Sequence, residues 1–305
     1  MDELTVLYNE IIKFNSEYLS LFYSNEIKKK RRYESYIKLK ATDKIRAFIY
    51  SISLRGFWKK TNSVYYNTNF YSPSNSATEY TDDKRIAVYC CIVGLYDNLI
   101  EPLYVDANVD YYVFTDQQVS KKSAWKKIDI TQLRDYKELT PTQLNRKIKI
   151  LSHIFLENYD FTVYVDGVIK LMTPIVPWIK ELGRFGLAVH YHNTRDCIYK
   201  EALVVKRMKK TNIELLKKQI LQYKNEGFPE NYGMYENTIL IRNNSDSETK
   251  LLMEQWWEEY MRYPTRDQIS LPYLVWRTNY DKSKIYILGN NMNLNPRIIR
   301  RLEHA

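Results

Sequence analysis

Tyr159-Asp160-Phe161-Thr162-Val163-Tyr164-Val165-Asp166-Gly167-Val168-Ile169 is the stretch whose reading decides the fold. A β-branched and aromatic run delivers one carboxylate, Asp166, onto a glycine, and a second apolar run starts directly after it. Such a run reads as a buried strand. A carboxylate at the end of a buried strand is poorly placed for packing and well placed for a metal ion or a phosphate-linked ligand. The competing reading is a plain strand–turn–strand in which Asp and Gly make the turn.

Working outward, strands and helices alternate. Upstream, residues 85–93 form a near-continuous apolar strand ending at Gly94, 110–115 a second ending at Asp116, and 125–130 a third. A helix is expected over about 142–157, between the third strand and the central one. Downstream, 187–192 reads as strand, 195–210 and 212–226 as helices, 237–242 as strand, 246–262 and 266–277 as helices, and 284–288 as a closing strand. This alternation predicts an α/β sheet with helices on both faces over residues 84–305.

Residues 1–83 have a different texture. Leu4, Leu7, Ile11, Phe14, Tyr18 and Leu21 repeat three and four apart, the signature of an amphipathic helix. Lys28–Arg32 is an unbroken basic run, and Ile45, Phe48, Ile49, Ile52, Phe57 and Trp58 then stand among further Lys and Arg. That mixture suits a helix lying on an anionic membrane surface through residues 1–60, or a solvated basic face with its apolar side docked on the main domain. Residues 61–83, rich in Asn, Ser, Thr and Tyr with Pro73, read as a linker.

Composition narrows the class. The 305 residues are 45% hydrophobic, enough for a sizeable core, and 46 Lys and Arg against 36 Asp and Glu leave a net charge of +10. A basic balance points to nucleic acid, an anionic membrane or phosphorylated substrates. No apolar run approaches the roughly 18 residues of a membrane span. Met1-Asp2-Glu3 lacks the basic start of a secretory signal, and Cys90, Cys91 and Cys197 read as small buried side chains, so a cytoplasmic address, with peripheral attachment at the inner face of the membrane, is expected.

In open α/β sheets, ligands collect beyond the carboxyl ends of the strands. Val93, Gly94, Tyr96 and Asp97 follow the first strand, Asp116 the second and Asp166 the central one. Arg146 and Lys149 are three apart on the expected helix and share a face, a pair suited to a diphosphate. His190 and His192 alternate along a strand, two imidazoles without a third ligand. Arg195, Glu201, Glu236 and the trio Arg266-Asp267-Gln268 complete the polar candidates; Asp267 suits either a helix cap or a general base. Neither G-x-G-x-x-G nor a P-loop is present, which removes the dinucleotide and P-loop classes.

In order along the chain stand Arg85-Ile-Ala-Val-Tyr89, Gly94-x-Tyr96-Asp97, Asp110-Tyr111-x-x-Phe114-Thr115-Asp116, Asn145-Arg146-x-x-Lys149 with His153, and Tyr164-x-Asp166-Gly167. Then come His190 to Arg195, Cys197-Ile198-Tyr199-x-Glu201-Ala202, Glu226-Gly227-Phe228-Pro229, Trp256-Trp257 and Arg266-Asp267-Gln268-x-Ser270. Over roughly 84–290 this series resembles a glycosyltransferase-like domain family, long catalogued as of unknown function, of bacterial polysaccharide loci and plant mucilage-related proteins. The resemblance implies a GT-A-like fold, a mixed, mostly parallel sheet flanked by helices, here with an N-terminal helical extension. It implies sugar transfer from a nucleoside-diphosphate sugar to a hydroxyl of a cell-surface polysaccharide or lipid-linked glycan.

On that reading Val93, Gly94, Tyr96, Asp97 and Asp116 hold the nucleoside, while Arg146, Lys149 and Asp166 meet the diphosphate. His190, Arg195 and Gln268 face the acceptor, and Asp267 deprotonates it, with Glu236 and Glu201 behind it. By position Asp166 opens the family's Asp-x-Asp-like motif and implies Mn²⁺ or Mg²⁺, but Val168 stands where the last ligand belongs. Two other classes compete: a nucleic-acid-binding protein, motivated by net charge, and a non-catalytic glycan-binding relative, motivated by Val168.

Overall fold

A computed structural model of the chain describes residues 5–13, 16, 83–94, 96–207 and 211–300. The chain divides into two compact units, Met1–Ile12 with Ser74–Ala305, and Lys13–Pro73. The second lies almost wholly outside the described residues, as do the basic run and the expected linker.

Seven strands form the main sheet, in the order β3-β2-β1-β4-β7-β6-β8. They are β1 (Ile86–Ile92), β2 (Val109–Thr115), β3 (Lys126–Asp129), β4 (Phe161–Val165), β6 (Leu187–Tyr191), β7 (Tyr235–Asn243) and β8 (Ile285–Ile287). Only β7 runs against its neighbours β4 and β6; every other pairing is parallel. The expected mixed, mostly parallel sheet is therefore present. Two short strands, β5 (Ile169–Leu171) and β9 (Ile298–Arg300), pair separately.

Burial follows the period of two expected of strands covered on both faces. On β1 every residue is buried. Ala87, Tyr89 and Cys91 enter one core cluster, whereas Ile86, Val88, Cys90 and Ile92 enter the other. The first face is covered by α1 (Pro141–Ile150), α4 (Ile198–Arg207), α5 (Ile213–Asn225), α6 (Ser247–Arg262) and α7 (Asp267–Arg277). The second is covered by α3 (Ile175–Leu182), the β5–β9 pair and the helical residues 5–12, of which Tyr8 is buried. Tyr8 donates to Glu181 Oε2 (2.6 Å) and accepts from Arg297 Nε (2.5 Å), so this helix docks on its own unit. All three cysteines are free and buried.

The helix expected over 142–157 is broken. Thr140 and Gln143 form a capping box at the start of α1. The helix stops at Leu151, and a single turn, α2 (Ser152–Phe155), follows. Neither Gly nor Pro causes the break. Arg242, buried on β7, donates from Nη1 to the carbonyls of Lys149 (2.7 Å) and Ile150 (2.9 Å), and the Tyr89 hydroxyl donates to Lys149 O at 2.8 Å. Tertiary donors take the last carbonyls of α1 and end it beside the strand ends.

Candidate active site

Because β3, β2, β1, β4, β6 and β8 are parallel, their carboxyl ends share one edge, joined by the start of β7. Two groups of side chains stand there.

The first is a knot of charges. Asp166, one residue past β4, accepts from the Tyr164 hydroxyl at 2.6 Å and lies 3.9 Å from Lys149 Nζ. Lys149 donates to Asp267 Oδ2 at 2.8 Å, and Asp267 Oδ1 lies 3.3 Å from Arg146 Nε. Lys149 Nζ also lies 5.1 Å from the Tyr164 ring centroid, within cation–π range. Trp256 fixes the first turn of α7 by donating Nε1 to Asp267 O (3.2 Å) and Ser270 Oγ (3.1 Å). Two members are buried and two are not: side-chain exposure is 3% for Lys149 and 4% for Asp267, against 34% for Asp166 and 25% for Arg146. A ligand therefore reaches Asp166 and Arg146, while Lys149 and Asp267 stand behind them.

This geometry changes what Asp267 can do. Burial alone would raise its carboxyl, but Arg146 and Lys149 outweigh burial and hold it well below the usual carboxylate range. A carboxylate locked between two cations is a poor proton acceptor. Its N-terminal place in α7 agrees with the capping alternative only in part, because its side chain binds Lys149 rather than the helix backbone.

Around the knot, glycines let backbone and carboxylates come close. Gly94 has φ +66°, and its N–H donates to both Asp116 oxygens, at 2.9 and 3.2 Å. Asp116 also accepts from Tyr136 (3.3 Å), and Gln117 Nε2 donates to the carbonyls of Gly94 (2.5 Å) and Asp97 (3.1 Å). Asp116 thus shapes the loop after β1. A Cβ on Gly167 would lie 3.2 Å from Asp97 Oδ2, so Asp97 packs against the Asp166-Gly167 turn. Val93 is half-buried and Tyr96 is exposed beside it.

The second group lines a cleft of about 230 Å³. His192, Arg195, Glu201, Glu236, Arg266 and Gln268 contribute to it, together with Arg300 and Asn293. Thr238 links it to the knot: its carbonyl accepts the Asp166 N–H at 3.0 Å, and its hydroxyl donates to Glu236 Oε1. Arg195 pairs with buried Glu201. His192 accepts the N–H of Thr194 (3.3 Å) and of Arg195 (3.2 Å) at Nδ1. Burial, reinforced by Arg195, lowers its pKa to about 4, so the ring is neutral near pH 7.

His190 does not join this cleft. The strand β6 ends at Tyr191, so His192 stands one residue beyond it and outside its alternation. His190 is fully buried, meets Asn295 Nδ2 at 2.9 Å, and is held neutral by burial and Arg297, its pKa lowered to about 3. No ligand reaches it.

Among the described residues no group of three or more His, Cys, Asp or Glu is placed to hold an ion. Val168 is buried and apolar, and Asp166 is engaged by Tyr164 with Lys149 close by. A divalent ion at Asp166 would need most of its ligands from donor phosphates and water.

Tyr164, Tyr89, Arg242, Arg300 and Asn293 had no place among the expected site residues. Arg242 carried a signal, a lone cation closing the apolar run Ile239-Leu240-Ile241. Arg300 did not, because nothing in sequence brings β9 to this edge.

Comparison with known proteins agrees with the series of motifs. The sequence model of the TOD1/MUCI70 glycosyltransferase-like domain matches residues 21–297, starting well upstream of Lys84. A search of curated proteins finds no match. Among solved structures, the apo form of mouse xyloside xylosyltransferase 1 aligns over 67% of this chain and 84% of its own, at 9% identity and a TM-score of 0.38, too distant to carry an argument.

Proposed function

The chain belongs to the TOD1/MUCI70 glycosyltransferase-like domain family, and we propose that it moves a sugar from a nucleoside-diphosphate donor to a hydroxyl of a glycan acceptor. The observation that carries this reading is the juxtaposition of a partly exposed cation, Arg146, and a partly exposed carboxylate, Asp166, both bound into one charge knot, with a separate polar cleft along one sheet edge. The nucleoside lies over Val93, Gly94, Tyr96 and Asp97, in the loop that Asp116 and Gln117 hold. Arg146 meets the diphosphate as charge develops on it, and a fixed cation needs no reorganisation at that moment. Lys149 acts from behind, setting the position of Asp166, and Asp267 holds both cations in place.

The acceptor occupies the cleft, against Arg195 and Gln268. Glu236 is the base that removes its hydroxyl proton, since Asp267 is locked by cations and Glu201 is paired with Arg195. The acceptor oxygen then forms the new bond to the anomeric carbon while the bond to the donor phosphate breaks, and the nucleoside diphosphate leaves with the electron pair. The basic, aromatic stretch up to residue 60 supports attachment at an anionic membrane near a lipid-linked acceptor. Among the described residues no helix is long and apolar enough to cross a membrane.

Thermal-shift titration of the full chain with nucleoside diphosphates, with and without Mn²⁺, tests the donor assignment. Stabilisation by at least one of them is expected, weakened in Arg146→Ala and Asp166→Ala. Stabilisation by single-stranded nucleic acid instead, falling steeply with salt, would support the nucleic-acid reading.

A further inference from the structure

The cleft holds more cationic donors than its own carboxylates satisfy. Three arginines line it, Arg195, Arg266 and Arg300, against two carboxylates, Glu201 and Glu236. Arg195 is neutralised by Glu201. Arg266 donates Nη2 only to the neutral amide of Gln268, and its Nε is buried without an acceptor among the described residues. Arg300 is exposed on the last residue of β9 and has no ion pair among the described residues. His192 is neutral near pH 7 and adds no charge of its own. A buried guanidinium N–H without an acceptor is costly, and Arg266 lines the cleft where a ligand would meet its guanidinium. Guanidinium groups bind carboxylate or phosphate more strongly than neutral hydroxyls, often through two parallel hydrogen bonds.

We infer that this cleft selects an acceptor carrying an anionic group, a sugar carboxylate or phosphate, held by Arg266 and Arg300 while the hydroxyl to be glycosylated faces Glu236. This rests on the cleft being the acceptor site. It adds a specificity that a cleft of hydroxyl-binding groups alone would lack, because Arg266 and Arg300 are left underused by a neutral glycan.

Ligand-observed NMR titration of the full chain tests it with three probes: a uronic-acid oligosaccharide, the same oligosaccharide with its carboxyls reduced to hydroxymethyl groups, and a glycerol-phosphate oligomer. Binding of an acidic probe about tenfold tighter than the reduced one is expected at low salt, with the advantage lost in Arg266→Gln and Arg300→Gln and partly kept in Arg266→Lys. The two acidic probes distinguish carboxylate from phosphate recognition. Equal binding of acidic and reduced probes, saturation by none of them at millimolar concentration, or a preference unmoved by both Gln variants would each overturn the inference. If a variant fails to fold, the wild-type comparison of acidic with reduced probe decides alone. Nucleoside-diphosphate stabilisation is read separately. If it persists while the acidic preference fails, only this inference falls. If it is absent while the preference holds, the donor reading falls and the cleft remains an anionic-glycan site.

Discussion

The charge knot and the cleft lie on the same sheet edge, yet they treat charge in opposite ways. In the knot Asp267 is clamped between Lys149 and Arg146, and Lys149 in turn faces Asp166. In the cleft Arg266 and Arg300 are without ion pairs among the described residues, and the Glu236 carboxylate is met only by a neutral hydroxyl there. A buried ion pair is seldom a large net source of stability, but breaking one strands its partner. The knot is therefore a preorganised support, and the cleft is where ligand groups complete the hydrogen bonding.

That contrast can be broken from either side. The largest effect is expected in the cleft: Glu236→Gln should lower turnover by about 100-fold to 10,000-fold while leaving nucleoside-diphosphate binding close to wild type, as for loss of a positioned base. Steady-state rates with donor and acceptor check this, and an unchanged kcat would move the base elsewhere. In the knot, Asp267→Ala should act on the fold. It leaves Lys149 and Arg146 without their shared carboxylate, and a loss of about 3–5 kcal/mol is expected in chemical denaturation. Wild-type stability there would contradict the clamp.

Arg242→Met probes the support beneath the knot. It removes a buried cation with no carboxylate partner among the described residues, but it strips donors from the carbonyls of Lys149 and Ile150. The two terms oppose each other, and a net loss of about 1–3 kcal/mol is expected by denaturation, with weaker nucleotide binding as the end of α1 shifts. Unchanged nucleotide binding would detach Arg242 from the site.

The smallest effect is a pH slope. His190, His192 and His153 all have folded pKa values below the ordinary ~6.5, each chiefly through burial. As pH falls below ~6.5 the unfolded chain takes up protons before the folded one, so stability declines, down to about 4 for His192 and about 3 for His190. Asp267 contributes in the same direction further down, because its depressed carboxyl gives stability that is lost only in stronger acid. Melting temperature against pH should be nearly flat between about 7 and 8 and fall below ~6.5, and His190→Gln should shallow that fall. A slope unchanged by His190→Gln would contradict it.

Most of the sheet was legible because its strands are buried on both faces and therefore read as apolar runs ending in turn chemistry. Asp166 stands where that pattern put it, directly after β4. What sequence did not show was each time set by a partner distant in the chain. The break at Leu151 comes from Arg242 and Tyr89, contributed by other strands. The reversal of β7 leaves no mark in its composition. The helix α3 has no counterpart among the expected elements, although Ile175, Trp178, Ile179 and Leu182 form its buried side. His190 and His192 part because β6 ends at Tyr191, and alternation alone does not show where a strand stops. Asp267 looked like a base because nothing in its neighbourhood of sequence revealed that Lys149 would sit 2.8 Å away.

The central claim is sugar transfer with Asp166 at the donor. It is tested most directly by incubating the full chain with a panel of nucleoside-diphosphate sugars and measuring released nucleoside diphosphate for wild type and Asp166→Ala, with folding checked by thermal melting. Release from at least one donor by wild type, abolished in an Asp166→Ala protein that melts cooperatively, is the predicted result. Equal release by the two proteins, or none from any donor with or without a glycan acceptor, would contradict it.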